Sequence, residues 1–414
     1  MYRIYTWALR LGLTVITPYY LLGSRRYWPT LSDRLGRLKL PQLDGTIWIH
    51  AVSVGEVKAV EKLISRIREQ FPGRPLVVST TTPTGQQLAR DRRDLIDHSF
   101  YFPLDLPGAI SRTLDRVRPQ LVIIAETEIW PNFLRICRQR NVPVMMINGR
   151  ISDKSLPGYA RLRRWLRPVL DNYLVLGMQS EQDRDRIESI GAKAERVAVF
   201  GNLKYDITPP ARPLDAKLVG FLKNWRELWI AASTMPGEDE LVLDSYIALR
   251  QSRPELKLMI APRHPDRAGD ILALIKARKL TGLQRSTLGH DGDVLVLDTV
   301  GELASCFEFA SIVFVGGSLV QRGGHNVLEP ASHSKPVVFG PHMENFREIS
   351  KLFLEAQAAI QIEKASELAP AVARVLGNPS LANSLGREAR QVVTRNAGAT
   401  DRVITFIRDR VFNE

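Results

Sequence analysis

Short β-rich runs alternating with amphipathic stretches, twice over with a proline-bearing break between the two rounds, limit what this chain can fold into. The first round offers strands at 47–52, 76–80, 99–102, 121–125, 144–147, 174–176 and 197–200, with helical patterns such as 57–70 and 131–140 between them. Alternation of this kind joins parallel strands through crossover helices. Residues 205–213, YDITPPARP, then interrupt the pattern with proline and turn formers. It restarts with strands at 228–232, 257–261, 294–297, 312–315, 337–339 and 359–362. At 414 residues and 44% hydrophobic, the chain is long enough for two domains that each bury a core. The expected architecture is α/β, two doubly wound domains facing each other across a cleft. Ligands of such sheets bind outside the carboxyl ends of the strands. The expected division is 1–40, a membrane anchor with a basic juxtamembrane segment; 41–205, a first domain; and 206–414, a second domain whose last helix is a candidate to pack back on the first.

Charge narrows the partners. The formal net charge is +13, which suits nucleic acid, an anionic bilayer or an acidic substrate. Residues 1–40 carry Arg3, Arg10, Arg25, Arg26, Arg34, Arg37 and Lys39 against Asp33 alone, and Arg161, Arg163, Arg164 and Arg167 surround Leu162, Trp165 and Leu166. Basic residues interleaved with apolar ones fit a membrane surface better than a DNA groove, and no nucleic-acid motif is present. From Ile4 to Leu22 only Arg10 is charged. A helix over this stretch is about 28 Å long, near the thickness of a hydrocarbon core. With Arg10 at its middle and Pro18 near its end, it reads as a retained anchor, monotopic or a marginal span, with Arg25 and Arg26 holding the body at the cytoplasmic face. Cys137 and Cys306 are far apart and indicate neither a disulfide framework nor a zinc site. The pairs Asp183/Asp185 and Asp291/Asp293 fall in a helical pattern and a polar loop, and no metal is expected there.

The chemistry collects at strand ends. The run SIVFVGGSLVQRGGHNVLEPA, 311–331, carries Gly316, Gly317 and Ser318, then Gly323, Gly324 and His325, then Asn326 and Glu329 at a helix start. Glycines allow close backbone approach and a helix N-terminus offers N–H groups to negative charge, so a nucleotide or phosphorylated ligand is the first expectation. HAVSVGEVKA places His50, Ser53, Gly55 and Glu56 on a strand-to-helix turn; Glu56 there is a candidate base held ionised by the helix dipole, or simply a cap. TTTPTG, 80–85, offers hydroxyls to phosphate or sugar oxygens, or an ordinary capped start. AETEIWPN projects Glu126 and Glu128; Asn148 to Arg150 and Gly201 to Lys204 close later strands. In the second half STMPGEDE, APRHP with Arg263 and His264, and DTVGE follow successive strands. Arg263, forked and permanently charged, is a natural phosphate partner.

In this order these motifs resemble the 3-deoxy-D-manno-octulosonic acid (Kdo) transferases of lipopolysaccharide synthesis. HAVSVGE, TTTPTG, FPLDLP, ETEIWPN, NGRIS, GNLKYD, STMPGE, PRHPDR, GGSLVQRGGHNVLEP and GPHMENF carry the resemblance across nearly the whole chain. It implies a GT-B fold of two Rossmann-like domains, CMP-Kdo as donor with no cofactor and no metal, and the lipid A precursor (lipid IVA) as acceptor at the cytoplasmic face of the inner membrane. Glu56 then matches the family base, with Ser53, Gly55, Glu126 and Glu128 on the acceptor side. The CMP-contacting positions fall on Pro262 and Arg263; on Val300, Gly301 and Glu302, Val300 standing where the family often has methionine; and on Asn326, Val327, Leu328 and Glu329. The first domain would hold acceptor and the second donor. A UDP-sugar glycosyltransferase on the same architecture, and a non-catalytic basic membrane-binding protein, are the alternatives.

Overall fold

The computed structural model describes residues 1–23, 28–207, 214–289 and 291–412, and divides into two units: Met1–Asp206 with Ala397–Glu414, and Ile207–Asn396. The segments holding Arg25 and Arg26 and most of the proline-rich break, 208–213, lie outside the described residues.

The first unit is built on seven strands: β1 (Thr46–His50), β2 (Leu76–Thr80), β3 (His98–Tyr101), β4 (Pro119–Ala125), β5 (Val144–Gly149), β6 (Val175–Met178) and β7 (Val197–Val199). They are all parallel, in the order β3-β2-β1-β4-β5-β6-β7. Helices cover both faces, which is why β1, β2 and β5 are buried along their whole length. Alternation along β1 feeds two cores. Trp48 meets Phe100, Phe102 and Phe133 on one face. Ile47 and Ile49 pack on the other with Val57, Ile64 and, from the far end of the chain, Val403, Ile404 and Ile407. Those last three belong to the helix Ala399–Ile407. Asp206 fastens its start, accepting the N–H groups of Gly398 at 2.6 Å and Thr400 at 2.5 Å.

The second unit repeats the plan with β8 (Glu227–Thr234), β9 (Leu256–Pro262), β10 (Gly282–Gln284), β11 (Val294–Val296), β12 (Ile312–Val315), β13 (Val337–Phe339) and β14 (Ile360–Gln361). The order is β10-β11-β9-β8-β12-β13-β14, again parallel. Trp229, Tyr246, Ile260 and Phe314 anchor one core of this unit.

The sequence expectations differ from the structure in three places. β10 was not anticipated, because GLQ is an edge strand of three residues with a single apolar side chain. The helical pattern over 57–70 starts earlier and is divided at Val60 into Val54–Ala59 and Glu61–Gln70. The N-terminal stretch is a helix, Tyr2–Gly23, but among the described residues no helix is long and apolar enough to cross a membrane. One side of this helix is tied down: Tyr2 donates its hydroxyl to the Pro168 carbonyl, and Thr6 exchanges hydrogen bonds with Asn132. Ile4, Trp7, Leu11 and Val15, spaced to share a helical face, are 64–70% exposed. Leu162 and Trp165 of the basic segment are exposed as well.

Candidate active site

In a doubly wound sheet the crevice opens where strand order reverses, because the loops there diverge to opposite faces. In the first unit that point lies between β1 and β4. The sequence puts its carboxylates there: Glu56 in the turn after β1, and Glu126 and Glu128 directly after β4. Glu126 has φ +61°, a left-handed conformation that costs a non-glycine residue about 1–3 kcal/mol. Its N–H is fixed on Ile147 O at 2.8 Å, so β5 holds the strained turn. Tyr173 donates its hydroxyl to the Glu128 carbonyl at 2.6 Å.

Glu56 folds back over its own turn. One oxygen accepts the Val52 N–H at 2.7 Å and the other the Ser53 hydroxyl at 3.0 Å, a variant of the capping box. Burial, with the nearby charges of Glu126 and Glu128 adding to it, pushes the carboxyl up to about 7, against the pull of these two hydrogen bonds. This corrects the expectation of a carboxylate held firmly ionised by a helix dipole: the helix is one and a half turns long, and desolvation outweighs it. Glu128 is raised too, by burial and then by Glu126. Ser53 touches Glu56 directly, while Gly55 stands exposed at the outside of the turn.

Neighbouring motifs brace this turn. Thr81 and Thr82 both donate their N–H groups to Val52 O at 3.1 Å, and the Thr82 hydroxyl accepts the Gly85 N–H, capping Pro83–Asp91. The Thr82 hydroxyl therefore serves its helix. A β-carbon on Gly85 would sit 2.9 Å from Thr82 Oγ1 and 3.2 Å from the Ser53 carbonyl carbon, so only glycine lets the two loops close. His50, expected at the opening, is fully buried, stacked on Phe102 at 3.9 Å, and kept neutral by desolvation that lowers it to about 3. Asp105 of FPLDLP accepts the N–H groups of Asn132 and Phe133 at 3.1 and 2.7 Å, and so fixes the helix that begins at Pro131.

In the second unit the reversal lies between β8 and β12. Pro262 ends β9 buried; Arg263 binds Thr234 O through its N–H at 3.0 Å and leaves its side chain exposed. Val300 is 88% exposed, beside Gly301 at φ +93°. Glu302 accepts a bidentate pair from Arg285, from Nε at 2.9 Å and Nη2 at 2.7 Å, and also accepts the Thr299 hydroxyl. After β12, Gly316, Gly317 and Ser318 are buried, and the N–H groups of Gly317 and Ser318 go to Glu238. The second glycine pair folds against the first: Gly324 donates its N–H to Gly317 O at 2.8 Å, and a β-carbon on Gly317 would lie 2.9 Å from the His325 ring. Gly323 and Gly324 both take positive φ. The Asn326 amide donates to Glu329 at 3.0 Å and accepts the Leu328 N–H at 3.0 Å; Val327 and Leu328 turn their side chains inward.

The structure thus gathers Ser53, Glu56, Glu126 and Glu128 at one switch point, and the two glycine pairs with His325, Asn326 and Glu329 at the other. Arg285 was not singled out in the sequence, and Glu238 entered only as the last residue of STMPGE. Arg285 follows the unanticipated β10, and Glu238 was hidden in an acidic helix start, where carboxylates are common. Among the described residues no group of three or more His, Cys, Asp or Glu gathers as metal ligands. Asp183 is occupied by the Ile151 N–H and the Ser180 hydroxyl.

Comparison with known proteins places this geometry in a lineage. Residues 29–207 match the family model described as 3-deoxy-D-manno-octulosonic-acid transferase (kdotransferase). The 3-deoxy-D-manno-octulosonic acid transferase of Haemophilus influenzae is 35% identical over 93% of this chain and 92% of its own length. That of Bordetella pertussis is 30% identical over 98% of each. Among solved structures, the UDP-GlcNAc 2-epimerase of Neisseria meningitidis superposes with a TM-score of 0.59 at 12% identity, over 88% of this chain and all of that one. A glycosyltransferase of Rickettsia africae gives 0.56 at 12%, over 89% and 99%. These two speak for the fold alone, the two parallel-sheet α/β domains of the GT-B type. The sequence relatives go further: the chain is a glycosyltransferase and belongs to the 3-deoxy-D-manno-octulosonic acid transferase family.

Proposed function

We propose that this chain transfers Kdo with inversion from CMP-Kdo to the acylated, bisphosphorylated glucosamine disaccharide of the lipid A precursor, with Glu56 as general base. The observation that carries the mechanism is the gathering of Glu56, Glu126 and Glu128 at the β1/β4 switch point, where burial pushes the Glu56 carboxyl up to about 7. A base is most effective when its affinity for protons is matched to the working pH. Glu56 takes the proton of an acceptor hydroxyl as that oxygen bonds to the anomeric carbon of Kdo. The bond from that carbon to the CMP phosphate oxygen breaks, and its electron pair leaves with CMP. Arg263, exposed after β9, and the Asn326 amide at the glycine-rich loop stabilise the departing phosphate. A leaving group with one phosphate builds up less charge than a diphosphate, so the reaction needs no divalent cation, and excess EDTA leaves the rate unchanged.

The acceptor lies in a membrane, and the first unit has a surface suited to reaching it. Ile4, Trp7, Leu11 and Val15 present an exposed apolar face, and Leu162 and Trp165 stand exposed among Arg161, Arg163 and Arg164. Such surfaces lie in the headgroup layer of anionic bilayers without crossing them. The protein accordingly works at the cytoplasmic face of the inner membrane as a monotopic enzyme. The test is transfer from CMP-Kdo, generated in situ, to a tetraacylated lipid A precursor by wild type and Glu56→Gln, with products read by mass. The variant should lose about 10²–10⁴ in rate and keep its affinity for CMP. Equal rates in both would remove Glu56 from the mechanism.

A further inference from the structure

We infer that Glu238 is a positioning residue of the donor site, an internal carboxylate that fills the backbone N–H nest after β12 and holds the loop leading to Asn326 in place before nucleotide arrives. The inference rests on the donor reading above.

Glu238 is the first residue of the helix Glu238–Arg250, set by Gly237 at φ +92°. It comes from the end of β8 and reaches across the switch point to the end of β12. One oxygen accepts the N–H groups of Met235 at 2.9 Å and Gly317 at 2.6 Å; the other accepts those of Ser318 at 3.0 Å and Leu319 at 2.9 Å. The side chain is fully buried. Three successive N–H groups turned to one point form the kind of nest that commonly binds a ligand phosphate. Here the occupant is the protein's own anion, so these N–H groups are not offered to the nucleotide.

What hangs on this carboxylate reaches most of the donor loops. A β-carbon on Gly316 would lie 2.7 Å from Ser233 O and 2.9 Å from Glu238 itself, so glycine is needed for the approach. Gly317, once fixed, holds Gly324 through its carbonyl and leaves room for the His325 ring, one residue before Asn326. Ser318 accepts the Gly340 N–H on its hydroxyl at 2.8 Å and the His342 N–H on its carbonyl at 3.0 Å, which ties in the loop after β13. Arg267, paired with Asp239 beside Glu238, donates to Thr234 O at 3.2 Å and links the loop after β9 that carries Arg263. Glutamine at 238 would turn an NH2 donor toward N–H donors. Aspartate keeps the charge but falls one methylene short.

The experiment is amide hydrogen exchange on the full chain with and without CMP, alongside CMP calorimetry and substrate kinetics of wild type, Glu238→Gln and Glu238→Asp. The amides of Gly317, Ser318 and Leu319 should be protected without CMP and gain nothing when it binds, while those of 325–328 gain protection. Glu238→Gln should lose about ten-fold or more in CMP affinity and raise the KM for CMP-Kdo to match, leaving the acceptor KM within about two-fold, and Glu238→Asp should recover part of the loss. CMP-dependent protection of 317–319 would overturn the inference. So would unchanged CMP affinity in folded Glu238→Gln, or an equal rise in both KM values. If Glu238→Gln fails to fold, wild-type exchange and Glu238→Asp decide. Wild type that does not bind CMP at all would overturn the donor reading, and this inference with it.

Discussion

Glu56 shows how one side chain is given its chemistry by burial rather than by a partner. Among the described residues no cation pairs with it, two hydrogen bonds favour its charged form, and desolvation still lifts it to about 7. For a base whose ionised form is active, kcat/KM should rise with pH up to about 7 and level off above it, a profile that Glu56→Gln abolishes. The same shift has a stability consequence of definite sign. A carboxyl raised in the folded state from its ordinary value of 4.5 is tolerated when protonated and costs stability once ionised, so the cost is absent below about 4.5 and complete above about 7. Glu56→Gln should therefore melt higher than wild type at pH 8, with the gap closing at pH 5, as differential scanning calorimetry would read. A gap independent of pH would mean that the carboxyl is not perturbed.

At the scale of elements, loops are fastened by residues that the linear motifs only partly reveal. Asp206 accepts two N–H groups at the start of Ala399–Ile407, the helix by which the end of the chain completes the first core. Asp206→Asn should cost about 1–3 kcal/mol in urea unfolding of the full chain, from weakened bonds at a buried charge. The parallel α/β plan was legible because buried strands such as LVIIA and IVFV are unbroken apolar runs and because each ends in turn chemistry. Glu126 and Glu128 stood out because carboxylates directly beyond an apolar strand have no packing role, whereas Glu56 read as a base or a cap. What stayed hidden was long-range. Nothing local in GEDE says that Glu238 crosses to β12, and nothing in GLQ says that three residues pair with β11. Desolvation at Glu56, which one sequence does not report, outweighs the helix dipole.

For the whole molecule, the proposed work at a membrane rests on net charge and one apolar face together. On that proposal a charge of +13 would draw the protein to an anionic bilayer, and Trp7 and Leu11 would supply apolar area to bury. Vesicles rich in phosphatidylglycerol should bind the full chain more strongly than phosphatidylcholine vesicles, with the difference shrinking as salt rises. Replacing Trp7 and Leu11 together by glutamate should weaken binding about ten-fold or more while the melting temperature holds, because both side chains are exposed in the protein alone. Vesicle binding untouched by that change would move the membrane contact elsewhere. Transfer of Kdo with Glu56 as base can be read by incubating in situ CMP-Kdo with tetraacylated lipid A precursor and weighing the products. Wild type should yield a precursor heavier by one or more Kdo residues and Glu56→Gln almost none, both binding CMP equally. Folded wild type that leaves the precursor unchanged, or that accepts a UDP-sugar instead, would contradict it.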